Sequence, residues 1–209
     1  MRIRITFAKT GALRYIGHLD LHRMLERVSR RAGLALAYSQ GFHPQPKIQL
    51  AAALPLGFSS RCELVDLWVE GEADLARLPD ELQEAVPPGL KILNVAGVDE
   101  KEPPLQTQIL AAEYEVILPK EADRAGLNQR LESVLASNSL PRERRGKAYD
   151  LRPLIVELRL EPEALENTCL SMRLSAREGA TGRPEEVLDA LDIPIDGARI
   201  ERTQLIFKE

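Results

Sequence analysis

Two stretches decide the fold: RIRITFA at residues 2–8 and HLDLHRMLERVSRRA at residues 18–32. In the first, Ile3, Ile5 and Phe7 alternate with Arg2, Arg4 and Thr6, the period-two pattern of a half-buried strand. In the second, Leu21, Leu25, Val28 and Ala32 recur at helical spacing with Met24 beside them, and Gly33 follows as a stop, which predicts an amphipathic helix. Working outward, Ala37 to Pro46 reads as a turn-rich loop with Gly41, Pro44 and Pro46. Lys47–Leu54 and Glu63–Glu70 read as strands joined through LPLGFSS, Leu75–Ala85 as a helix and Leu90–Val95 as a strand. The order is βαββαβ.

The segment VDEKEPPLQTQ, residues 98–108, is polar and carries Pro103 and Pro104, as a linker does. Beyond it the order recurs: strand Glu113–Leu118, helix Ala122–Ala136, strands Leu154–Leu160 and Leu170–Ser175, helix Pro184–Leu191 and strand Arg199–Phe207. The expected fold is therefore α+β: two tandem ferredoxin-like (βαββαβ) units, each an antiparallel sheet with two helices on one face. The expected domains are residues 1–98 and 109–209, with residues 99–108 linking them. Each sheet's other face is left for packing or ligand, and two such faces side by side form a cleft.

Of the 209 residues, 44% are apolar and 29% charged, ordinary globular usage that excludes a disordered tail or a fibrous repeat. No apolar run approaches the roughly 20 residues needed to cross a bilayer, and MRIRITFAKTG has no signal-peptide core, so a cytoplasmic protein without membrane attachment is expected. Cys62 and Cys169 lie far apart and form no cluster spacing, which leaves no disulfide framework and no cysteine-based metal site.

The net charge of −4 hides an asymmetry. Residues 1–61 carry ten Lys/Arg against two acids, the remainder eighteen against thirty, and His18, His22 and His43 all fall in the basic part. Such a local excess predicts an anion-binding surface, or more simply a solvated basic helix face. Arg23, Arg27 and Arg30, at i, i+4 and i+7, stand opposite the apolar stripe, a row that can track phosphates. Tyr15, Tyr38 and Phe42 are either platforms for unpaired bases or core residues, and Asp20 and Glu26 are available to neutralise the arginines. The expected RNA-binding set is Lys9, Arg14, Arg23, Arg27, Arg30, Arg31, Tyr38, Ser39, Phe42, His43 and Lys47, extended by Arg144, Arg145 and Lys147 in the second basic patch LPRERRGKAYDLRP, residues 140–153.

His18 and His22 have the spacing of a shared metal site, with His43 as a third ligand, but no HExxH is present and neighbouring arginines repel a dication; no metal and no cofactor is expected. A general acid–base role for His18 on an RNA 2′-hydroxyl, with Tyr15 nearby, needs no metal. Walker, Rossmann and GxSxG motifs are absent from the sequence.

The motif F-x-K-x-G-x-x-R-Y-I-x-H-L-D-L starting at Phe7, RRAGL at Arg30, YSQGFHPQPKI at Tyr38 and YDLRP at Tyr149 resemble the bacterial radical-SAM-associated domain of unknown function. Lys9, Gly11, Arg14, His18, Asp20, Arg30, Arg31, Ser39, Gly41, Phe42, Pro44 and Pro46 occupy motif positions, while Gly17 and His43 depart from the pattern and His22 lies outside it. The resemblance implies a radical SAM protein as partner. Without a CxxxCxxC of its own, this chain would be an accessory to that chemistry. The leading expectation is an RNA-binding accessory protein working with a radical SAM enzyme in tRNA or rRNA modification or processing. The alternatives are a metal-independent endoribonuclease using His18 and a protein-only scaffold that docks an acidic partner.

Overall fold

The alternation of the first strand sorts the first half of the chain into two faces. In the computed structural model, which describes residues 1–119, 123–144, 146–162 and 167–208, β1 (Arg2–Lys9) buries Ile3, Ile5 and Phe7 against α1 (His18–Arg31) and α2 (Leu78–Ala85). Leu21, Leu25 and Val28 of α1 and Leu78 and Leu82 of α2 complete this core with Val65 and Leu67 of β3 (Ser59–Trp68). Each such side chain contributes roughly 1.5–3 kcal/mol by leaving water. β1 lies between β3 and β4 (Leu90–Val98), and the short β2 (Ile48–Leu50) pairs with β3, giving the antiparallel order β2-β3-β1-β4.

The other face of this sheet is not open. Arg2 and Arg4 of β1 converge there on Asp66 of β3, and the segment expected as a linker crosses over them. Arg2 donates to the carbonyl oxygens of Glu102 and Pro103, at 2.7 and 3.1 Å, and the Leu105 N–H donates to Gln49 Oε1 at 2.7 Å. Leu105 itself is fully buried at the start of the four-residue α3 (Leu105–Gln108). Residues 99–108 thus form a strap on the first unit, because the two guanidiniums in this sheet face need acceptors beyond Asp66: the strap's carbonyls supply them to Arg2, and the Glu102 carboxylate lies 3.6 Å from Arg4.

The chain divides into two units, Met1–Ile109 and Leu110–Glu209. The second is built on β5 (Ile109–Ile117), α4 (Arg124–Ala136), the hairpin β6 (Pro141–Arg144) and β7 (Lys147–Asp150), then β8 (Ile155–Leu160), β9 (Cys169–Arg177), β10 (Ala180–Thr181), α5 (Pro184–Ala190) and β11 (Arg199–Phe207). β9 pairs antiparallel with β5, β8 and β10, and β11 lies beside β5, giving the order β10-β9-β5-β11 with β8 also on β9. The described residues form a mixed α+β chain with five helices and mostly antiparallel pairing. None of those helices is long and apolar enough to cross a membrane.

Several boundaries differ from the sequence reading. The strand expected at Lys47–Leu54 is confined to Ile48–Leu50, its partner begins at Ser59, and α2 begins at Leu78, ahead of Pro79, whose fixed φ suits a first helical turn. Within the second basic patch, Pro141–Arg144 pairs with Lys147–Asp150 as a hairpin. Ala122, the expected start of the helix found as α4, lies outside the described residues; Asp123 caps α4 by accepting from Gly126 N–H.

The turn into β4 is pinned to the end of β1. Thr10 N–H donates to the Gly89 carbonyl at 2.7 Å, and Gly89 has φ +94. A Cβ there would meet the Thr10 carbonyl oxygen at 2.7 Å. Gly89→Ala is expected to lower stability by about 2–4 kcal/mol in a urea titration, since unfavourable backbone and clash add; a loss under about 0.5 kcal/mol would mean the turn relaxes freely.

Candidate functional site

Helix α1 separates its residues cleanly. Leu21, Leu25, Val28 and Ser29 are buried, the Ser29 hydroxyl donating to the Leu25 carbonyl, while Leu19, Arg23, Arg27, Arg30 and Arg31 are exposed. Arg23 lies 3.6 Å from Asp20 and Arg30 2.5 Å from Glu26, both as surface pairs. No carboxylate pairs with Arg27 or Arg31 among the described residues. Exposed pairs of this kind are worth at most about 1 kcal/mol and yield readily to a phosphate.

Arg30 also donates to the Tyr38 hydroxyl at 2.9 Å, tying the helix to the loop that follows. That hydrogen bond, reinforced by Glu26, raises the Arg30 pKa above the usual guanidinium value. The loop is a self-bonded projection. Lys47 N–H donates to Ala37 O, Ser39 N–H to Gln45 O, and Gln45 N–H back to Ser39 Oγ. Its base is anchored to β3, where Ala37 N–H donates to Trp68 O and Trp68 N–H to Lys47 O. Gly41, at φ +135, allows a reversal that a side chain would resist, and Phe42 stands next to it fully exposed, with His43 and Lys47 also exposed.

Tyr15 closes a short 3-10 turn, Gly11–Tyr15, with the Arg14 guanidinium 4.7 Å from its ring centre, and is 62% exposed. Tyr15, Tyr38 and Phe42 are therefore surface aromatics, not core. Lys9 is different: only 1% exposed inside β1, it is not available to a polyanion, because the strand that carries it is covered. Arg2 and Arg4 likewise leave the exposed basic surplus, and their partner Asp66 is itself fully buried. The basic surface is consequently narrower than the charge count and centred on α1.

His18 opens α1 and is exposed. Among the described residues no hydrogen bond joins its imidazole to Tyr15 or to another side chain. No group of three His, Cys, Asp or Glu capable of holding a metal ion occurs among the described residues. His22, on the same helix, is half-buried.

In the second unit Arg144 and Lys147 line a cavity of about 600 Å³ with Tyr149, whose phenol is pushed up to about 12 by burial and then by the neighbouring Glu186 carboxylate. Arg145 lies outside the described residues. Elsewhere in that unit arginines are matched by acids: Arg159 with Glu157 and Glu161, and Arg173 with Glu113 and Glu157. Sequence reasoning missed a cavity at the base of the first unit's projecting loop, lined by Ser39, Gln45, Lys47, Gln49 and Trp68. The available signal was the chain's single tryptophan at the end of an alternating strand.

Among solved structures, a chain of the crystal structure of a Cbf5-Nop10-Gar1 complex superposes with TM-score 0.53 at 10% identity, over 99% of this chain and 50% of that one. This protein thus spans about half that chain's length, and at such identity the likeness concerns the fold alone. An unknown protein from Galdieria sulphuraria aligns over 98% of both chains at 17% identity, with TM-score 0.28, too low to carry an argument. No curated protein gives a significant sequence match. A family model described as an uncharacterized protein conserved in bacteria, DUF2344, matches residues 2–184, and the chain belongs to that family.

Proposed function

We propose that this chain is an RNA-binding accessory protein that holds a flexible strand along α1 and the Phe42 loop. The observation that carries the reading is the exposed row Arg23, Arg27, Arg30 and Arg31, only partly engaged by acids, beside a braced loop with a fully exposed phenylalanine at its tip. Guanidiniums take phosphates and stacked aromatics take unpaired bases, a pairing that suits single-stranded RNA. The two βαββαβ units are read as tandem ferredoxin-like folds. A radical SAM enzyme as partner, acting on tRNA or rRNA, rests on the motif resemblance alone.

The reading is tested by salt. With Lys47 the row offers about four or five phosphate contacts, so the logarithm of the association constant for a 12-nucleotide single-stranded RNA is expected to fall against log[salt] with a slope of roughly −3. A slope near zero, or no binding at low salt, would refute it. If an acidic protein is instead captured from lysate after ribonuclease treatment while RNA does not bind, the surface serves protein docking.

A further inference from the structure

The cavity at the base of the projecting loop has a composition that the row of arginines does not explain. Its volume is about 430 Å³, and Ser39, Gln45, Pro46, Lys47, Ile48, Gln49 and Trp68 line it. That volume is within the roughly 300–1,000 Å³ of small-molecule sites. One lining residue is a cation and none is an anion. Lys47 is exposed, and no carboxylate pairs with it among the described residues.

Trp68 is held in place from within the sheet. The Arg2 guanidinium lies 4.9 Å from its ring centre, and Arg2 is fixed in turn by Asp66 and the strap carbonyls. An indole clamped this way loses little freedom when a second flat group stacks on it. The polar lining is also partly pre-assigned. Gln49 uses its Oε1 to accept from Leu105 N–H, which leaves its amide NH₂ as donor, and Ser39 Oγ accepts from Gln45 N–H, which leaves its O–H as donor. A flat ring with acceptor atoms on its edge and an anionic group nearby meets all of these features.

We propose that this cavity seats one nucleotide unit, its base stacked on Trp68, its edge read by Ser39 and Gln49, and its phosphate on the Lys47 ammonium. The chemistry is the same whether the nucleotide is free or part of a strand. The loop that carries Phe42 starts and ends at this cavity, which lies with Trp68 on the Arg2 side of the sheet, so a strand lying on α1 would reach it by following that loop. In that form the inference rests on the RNA-binding reading and adds its base-contacting subsite.

The single tryptophan makes the test direct. The full chain is titrated with adenosine monophosphate, with an end-labelled 12-nucleotide single-stranded RNA, and with an abasic oligomer of the same length, following tryptophan emission and label anisotropy together. The RNA is expected to quench Trp68 emission. The abasic oligomer is expected to bind without quenching and about 5- to 100-fold more weakly, the range for lost base stacking. Lys47→Gln, at an exposed position, is expected to weaken the quenching interaction by about tenfold. RNA binding seen by anisotropy with unchanged emission would overturn the subsite and leave the RNA reading standing. Quenching by the mononucleotide with no RNA binding would keep the subsite for a free nucleotide and overturn the RNA reading. Silence from all three probes would overturn both.

Discussion

Replacing Asp66 with alanine is expected to remove about 3–5 kcal/mol of stability, the largest loss anticipated for a single substitution in the first unit. The carboxylate is fully buried and accepts four bonds: from Arg2 Nε and Nη2 at 2.9 and 2.6 Å, and from Arg4 Nε and Nη2 at 2.8 and 3.0 Å. Alanine would leave one guanidinium that is 1% exposed and another that is 17% exposed without their shared anion. The Asp66 hydrogen bond is the main cause that raises the Arg4 pKa against the opposing effect of burial. Urea denaturation followed by circular dichroism measures the loss. Asp66→Asn keeps an acceptor but not the charge and should fall between wild type and alanine. Native-state hydrogen exchange should show the Leu105 amide losing protection early, since the strap is bound to the same cluster through Arg2 and to Gln49 of β2. A total cost under about 1 kcal/mol would show that the cluster does no more than break even against solvation.

That cluster also marks where the sequence was legible and where it was not. Alternation in residues 2–8 identified the strand and its buried face, and the heptad-like spacing of Leu21, Leu25 and Val28 identified the buried stripe of α1, because both patterns are local and follow from backbone periodicity. The outward position of Arg23, Arg27 and Arg30 follows from the same stripe. What local pattern cannot encode is the partner of a polar residue. Arg2 and Arg4 sit on the strand face that alternation assigns to water, yet Asp66, more than sixty positions away, and the carbonyls of residues 102 and 103 turn that face into an interior. Polar, proline-bearing composition at 99–108 fits a free linker and a lashed strap equally well, and the acceptors on the strap are main-chain groups that no side chain announces. Lys9 entered the basic count for the same reason, since a lysine in a strand reads as exposed until the sheet around it is known. The Trp68 cavity was invisible in the sequence because its walls come from a loop base and two strands whose register had to be fixed first.

Arg23→Glu, Arg27→Glu and Arg30→Glu made together are expected to abolish binding of single-stranded RNA, with a loss of more than about 100-fold at moderate salt. Three phosphate contacts disappear and three repulsive charges take their place on one helix face. The fold should survive, since the three positions are exposed and glutamate is nearly as good a helix former as arginine. The costs that remain are local: glutamate at 23 faces Asp20 and glutamate at 30 faces Glu26, each repulsion a few tenths of a kcal/mol, with a further small loss from an anion in the last helical turn. A melting curve within a few degrees of wild type and an unchanged far-ultraviolet spectrum are the required controls. Neutralisation separates charge from shape: with glutamine at all three positions, the slope of log association constant against log[salt] should become shallower by about 2, the value for three lost contacts to a single strand. If the glutamate variant binds RNA within about threefold of wild type, the polyanion path does not run along α1. If the glutamine variant loses affinity but keeps the full salt slope, the arginines act through packing or the Tyr38 hydrogen bond, and phosphate recognition has to be sought elsewhere on the chain.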